Sequence, residues 1–169
     1  GGAIGRNASL SDVVLLVEDD LALQIEDDLA DDLAVAVTTG DTLTGGDYQC
    51  IKAIFGGVQS NSAIKSLTID ALYLSSRSHP AFPNLNLRGA QFKESLTELD
   101  VIGQSISENQ SLMISSFLSS TSLEIFSFNT HCYNAEVDIS ESSFRKIISA
   151  CENNVEELMV GCDDGYHYA

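Results

Sequence analysis

Ile64-x-x-Leu67-x-Ile69 is written three more times in this chain, as Leu96-x-x-Leu99-x-Val101, Leu123-x-x-Phe126-x-Phe128 and Val155-x-x-Leu158-x-Val160. The copies start at Ile64, Leu96, Leu123 and Val155, at nearly even intervals. A recurrence on that scale belongs to units that cannot bury an apolar face alone and stack on their neighbours. Polar residues interleave the pattern: Ser66, Thr68 and Asp70 in the first copy, Glu98 and Asp100 in the second, Ser127 and Asn129 in the third, Glu157 in the fourth. The alternation predicts strands with one buried and one open face, because strands covered by helices on both faces read as near-continuous apolar runs. Carboxylates turned into a covered face would need partners that four lysines and four arginines scarcely supply.

Outward from these strands, the spacers carry helical signals. Ser107 is placed to cap a helix using Leu112, Met113, Phe117 and Leu118, and Ser140, with Ser143 three further on, opens another using Phe144, Ile147, Ile148 and Cys151. Residues 75–95 contain Pro80 and Pro83 and predict extended or short-turn structure. Towards the N-terminus, Val13 to Val17 reads as a strand. Leu21, Ile25, Leu29 and Leu33 predict an amphipathic helix over 19–33, with Asp19 and Asp20 at the positive end of its dipole. Val35 to Thr38 reads as the next strand, and Tyr48, Ile51, Ile54 and Phe55 as a helix ended by Gly56-Gly57. The expected class is therefore α/β with a parallel sheet. A solenoid of alternating strands and helices is the primary reading, a doubly wound flavodoxin-like sheet the alternative. Residues 1–62 are expected to be divergent repeats or a cap and 63–169 the regular units, in one continuous domain. The Gly-Gly start reads as a fragment of a larger protein.

The chain has 169 residues, 44% of them apolar, with 25 acidic against 8 basic residues and a formal charge of −17. A core is within reach. Phosphate backbones and anionic membranes would repel such a chain, which argues against nucleic-acid and membrane partners. No apolar run has membrane-spanning length. Cys50, Cys132, Cys151 and Cys162 have no close metal-type spacing and no disulfide-scaffold density, as expected for reduced thiols in a cytoplasmic or other intracellular protein. His131, Cys132, Cys162 and Asp163 follow the third and fourth copies and would be neighbours in a stack, but turn residues and small core thiols explain them without a metal.

The C-terminal half resembles the leucine-rich repeat family, in its ribonuclease-inhibitor-like branch, whose pattern is Leu-x-x-Leu-x-Leu-x-x-(Asn/Cys)-x-Leu. The first six positions match in all four copies. The ninth and eleventh hold Leu72 and Leu74, Gln104 and Ile106, His131 and Tyr133, and Asp163 and Gly165. A regular asparagine ladder is not expected. The other end, Val13 to Asp20 with its following helix and strand, resembles the opening of a response-regulator receiver domain. That resemblance implies Mg²⁺ held by Glu18 and Asp19 beside a phosphoacceptor, for which Asp70 is the candidate. The lysine the family needs near the end of a fifth strand is missing, since none lies between Lys93 and Lys146.

No nucleophile elbow, zinc-protease motif or phosphate loop is present. The expected function is a non-catalytic protein-protein interaction module with no cofactor and no metal. Its binding face consists of Ser66, Thr68, Asp70, Glu98, Asp100, Ile102, Ile125, Ser127, Asn129, Glu157 and Met159. Acids mixed with exposed Ile and Met suit a partner carrying basic and apolar groups. A receiver-like domain with Mg²⁺-dependent aspartyl phosphorylation is the alternative.

Overall fold

The first leucine-type position of each copy lies three residues before the second, a spacing that a strand of period two cannot place on one face. The computed structural model, which describes residues 2–18, 32–38, 45–74, 85–103, 105–130 and 138–162, resolves this with a shared carbonyl at the entrances of the strands that follow Ile64, Leu96 and Leu123. The carbonyl of Lys65 accepts from the N–H of both Thr97 (2.8 Å) and Glu98 (3.0 Å), and that of Thr97 from Glu124 (2.8 Å) and Ile125 (3.1 Å). The carbonyl of Ser11 accepts from Lys65 (2.7 Å) and Ser66 (3.1 Å) in the same way. The kink turns Ile64, Leu96 and Leu123 into the core with the two residues that follow them in the pattern. Ser11 reveals a fifth copy, Leu10-x-x-Val13-x-Leu15, whose three apolar residues are buried in the same cluster.

The strands are β1 (Asp12–Glu18), β2 (Asp32–Thr38), β3 (Ser66–Asp70), β4 (Glu98–Ile102), β5 (Ser105–Ile106), β6 (Leu123–Thr130), β7 (Asp138–Ile139) and β8 (Val155–Cys162). Six form one sheet in the order β2-β1-β3-β4-β6-β8, every pair parallel, and β5 and β7 form a separate parallel pair. The helices are α1 (Gly2–Arg6), α2 (Gly45–Gln59), α3 (Glu108–Leu118) and α4 (Glu141–Cys151). The protein is thus α/β with a parallel sheet and alternating strands and helices. Strand order is sequential from β3 to β8 and reversed at β1 and β2.

One cluster joins Val13, Leu15, Leu67, Ile69, Leu99, Val101, Phe126 and Phe128 of the sheet to Ile51, Phe55 and Val58 of α2, Ile114, Phe117 and Leu118 of α3, and Ile147 of α4. The register makes those sheet residues a single face, so α2, α3 and α4 pack on the same side. Burying a leucine-sized side chain contributes about 1.5–3 kcal/mol, and this face is the main source of stability.

The units also repeat in their helices. Ser107 and Ser140 cap α3 and α4 by accepting from the N–H of Gln110 and Ser143, and the first is a full capping box with Gln110. The buried positions of α4 follow those of α3 at a constant offset, Gln110 matching Ser143, Ile114 matching Ile147, Phe117 matching Ala150 and Leu118 matching Cys151. Lys146 donates to Glu108 at 2.9 Å between the two helices and holds that carboxyl below the usual carboxylate range.

Several local expectations are corrected. Leu33, assigned to a helix, lies in β2 opposite Val13; residues 19–31 lie outside the described residues. Gly56-Gly57 does not end α2, which continues to Gln59 because Val58 adds a fully buried anchor at the 51/55/58 spacing. Leu112 points outward, since the buried stripe of α3 runs through Gln110, Ser111, Ile114, Phe117 and Leu118. The proline-containing spacer needs no such correction: where described it forms short turns as expected, two of 3₁₀ type, Leu87–Gly89 and Gln91–Glu94, pinned by buried Leu85, Leu87 and Phe92.

Candidate functional site

The face opposite the helices is built by strand register. One row crosses the sheet as Asp12, Ser66, Glu98, Ile125 and Glu157; the next as Val14, Thr68, Asp100, Ser127 and Met159; a third contains Asp70, Ile102, Asn129 and Gly161. All eleven residues read from the sequence as a binding face therefore lie on one side of one sheet, in three adjacent rows. Sequence reasoning missed Asp12 and Val14, which the fifth copy, Leu10-x-x-Val13-x-Leu15, would have placed.

Exposure on this face is graded. Glu157 and Met159 on the last strand are exposed, Ser66, Thr68, Glu98, Asp100, Ile125 and Asn129 are half-buried, and Asp70, Ile102 and Ser127 are each only 7% exposed. The expectation of an exposed Ile102 is corrected: flanked by strands on both sides, it has little open surface, and the accessible apolar residues are Val14, Ile125 and Met159. Leu158, expected in the core, is 37% exposed because its strand is the last of the sheet.

The centre of the face is a hydrogen-bonded group. Ser127 Oγ donates to Asp100 Oδ1, and Asn129 Nδ2 donates to the same oxygen at 3.0 Å and to Ser127 Oγ at 3.3 Å. These bonds hold one carboxylate oxygen in a fixed direction across the β4–β6 pair. Gly103 follows at the exit of β4, where its N–H donates to the carbonyl of Asn129 at 2.9 Å and a Cβ would meet the Ala71 methyl at 2.9 Å. Only glycine fits that crossing without displacement.

Charge is segregated. Asp12, Asp70, Glu98, Asp100 and Glu157 occupy the three rows, and among the described residues no lysine or arginine does. Arg145 instead pairs with Glu141 within α4 at 2.7 Å, and Lys146 with Glu108. Burial pushes the Cys151 thiol up from its ordinary value, so it is protonated core packing at neutral pH.

Among the described residues, no group of three or more His, Cys, Asp or Glu side chains is arranged to hold a metal ion. His131, Cys132 and Asp163, and the ninth- and eleventh-position residues Gln104 and Tyr133, lie outside the described residues, as does the side chain of Cys162. Glu18 ends β1 and Asp70 ends β3, on adjacent strands, while Asp19 is outside the described residues. No described helix is long and apolar enough to cross a membrane. Compared with protein-family models, curated proteins and solved structures, the chain matches none.

Proposed function

We propose that this chain is a non-catalytic interaction module of leucine-rich-repeat type, which takes a basic protein partner on the open face of its sheet. The observation that carries the reading is the three-row face itself: five carboxylates, no described base, and the accessible side chains of Ile125 and Met159 between them. A cationic partner gains Coulomb attraction over the whole face, and the apolar residues supply desolvated contact. Repetition supports the architecture. Strand entrance, serine cap and buried helix positions recur from unit to unit, and helices on one side, each wider than the spacing of about 4.8 Å between strands, favour a sheet curved away from them. An intracellular setting belongs to the same proposal.

The reversed order of β1 and β2 favours a second reading, a receiver-like domain, because it produces the 2-1-3-4-5 arrangement at the start of the sheet and puts Glu18 and Asp70 at the ends of adjacent strands. Against it stand a sixth strand on the same side and the missing lysine. Two measurements separate the readings. Glu98→Lys with Glu157→Lys is expected to leave the fold intact and abolish capture of a basic partner, whereas Glu141→Lys with Glu152→Lys on the helix side leaves capture unchanged. Acetyl phosphate with Mg²⁺ is expected to add no phosphate mass. An adduct removed by Asp70→Asn would reverse the ranking.

A further inference from the structure

We propose that the outer edge of β8 is a strand-addition site for an extended segment of another protein, one that alternates basic and apolar residues. The site adjoins the open face, sharing Glu157 and Met159 of β8 with it, but is made by the backbone edge and does not rest on that reading.

Among the described residues β8 pairs only with β6. The ladder phase follows from its neighbours: Ile125 N–H donates to Thr97 and Gly103 N–H to Asn129, so beyond the kink at Glu124 the backbone groups of Ile125, Ser127 and Asn129 face β4 and those of Phe126 and Phe128 face β8. With Phe126 opposite Leu158 and Phe128 opposite Val160, the backbone groups of Glu157, Met159 and Gly161 turn to β6. Those of Leu158 and Val160 turn outward. The side chains tell the same story. Leu67, Ile69, Leu99, Val101, Phe126 and Phe128 are at most 2% exposed, yet Leu158 and Val160 in the same rows are 37% and 51% exposed, and Met159 on the opposite face is 50% exposed. Edge strands are ordinarily blunted by lysine, proline, a bulge or shortness. The eight residues of β8 contain no lysine and no proline.

The charge selects the occupant. Glu156 and Glu157 are exposed on this strand, and two copies of a chain with net charge −17 repel each other. A strand from a basic chain meets both conditions: its apolar side chains cover Leu158 and Val160 on the helix side while its cations lie beside Glu157 on the other.

The test uses the full chain and a fluorescent peptide of alternating lysine and valine, matched in length to β8 and read by anisotropy. Two further peptides carry N-methyl groups on all lysines or on all valines, which blocks one backbone edge or the other. Binding of the parent peptide is expected, with a loss of at least tenfold in only one of the two methylated peptides. Val160→Lys is expected to weaken the parent peptide at least tenfold, and a glutamate–valine peptide is expected not to bind. Equal binding by both methylated peptides would mean adsorption to an acidic surface and overturn the proposal. So would absence of binding, or a wild-type dimer in sedimentation that Val160→Lys converts to monomer.

Discussion

Ser127 donates its hydroxyl to Asp100 from the directly opposite position on the neighbouring strand. The bond is charge-assisted, and Ser127 is itself buried. Hydrogen bonds to charged groups contribute about 1.5–3 kcal/mol, although Asn129 still reaches the same oxygen in a variant. Ser127→Ala is therefore expected to lower stability by about 1–2 kcal/mol, read as a drop in urea midpoint. An unchanged midpoint would show that solvent replaces the hydroxyl at no cost.

Leu99 and Leu158 occupy the same position of the repeated pattern, one in the middle of the sheet and one on its last strand. Leu99→Ala is expected to cost about 2–5 kcal/mol, the usual result of emptying a closed site. Leu158→Ala is expected to cost less than about 1 kcal/mol, because its leucine already meets solvent. Paired urea titrations check both, and equal costs would mean that β8 is covered in solution.

Gln110 serves two masters at the start of α3. Its Oε1 accepts from the N–H of Ser107 at 2.7 Å, and its Nε2 donates to the carbonyl of Ala71 at 2.6 Å, tying the helix to the exit of β3. Gln110→Ala removes a cap and leaves a buried carbonyl unsatisfied, together about 2–3 kcal/mol. Gln110→Glu keeps the cap acceptor but sets a buried carboxylate oxygen against the Ala71 carbonyl, so it is expected to be no more stable than alanine in thermal unfolding at neutral pH.

The thiols divide by burial. Cys50 is exposed and Cys151 buried, with burial raising the Cys151 pKa. Site-resolved mass spectrometry after brief iodoacetamide treatment in mild alkali is expected to find Cys50 modified and Cys151 protected until urea unfolds the chain. The linked stability has a definite sign. A thiol whose pKa is higher in the folded state contributes fully below its unfolded value and loses that contribution as pH rises through the folded one. The Cys151 contribution is therefore present at neutral pH and declines in alkali.

Much of this architecture is legible in the sequence because periodicity reports which side of a strand is buried. Leu67, Leu99 and Phe126 are readable as core, and their polar neighbours as one face, before any register is known. The serine caps of α3 and α4 are legible for the same local reason. What escapes depends on neighbours in space. Leu10-x-x-Val13-x-Leu15 is hard to see as a fifth copy because its neighbour in the sheet starts only at Ile64, with β2 and α2 between. The exposure of Leu158 follows from being last in the sheet and the near-burial of Ile102 from being central, and neither rank is written in the local pattern. Gly56-Gly57 misleads because glycine stops a helix only where no later residue, here Val58, is anchored in the core.

The displaced position of β2 also sets a timetable. Joining β4 to β6 closes the loop from Glu98 to Ile125, whereas joining β1 to β3 closes one twice as long, from Asp12 to Ser66. Each doubling of loop length costs about 0.6 kcal/mol in closure entropy, roughly a threefold handicap in rate. The shortest closure of all is β1 to β2, from Asp12 to Asp32, so that pair forms as a unit of its own, the rest of the sheet grows from the β4–β6 pair, and the long β1–β3 closure joins the two last. On unfolding the sequence runs backward: the seam between β1 and β3 parts first, amide hydrogens of β1 and β2 exchange together ahead of those of β4 and β6, and the chain opens from its N-terminal side like a fan.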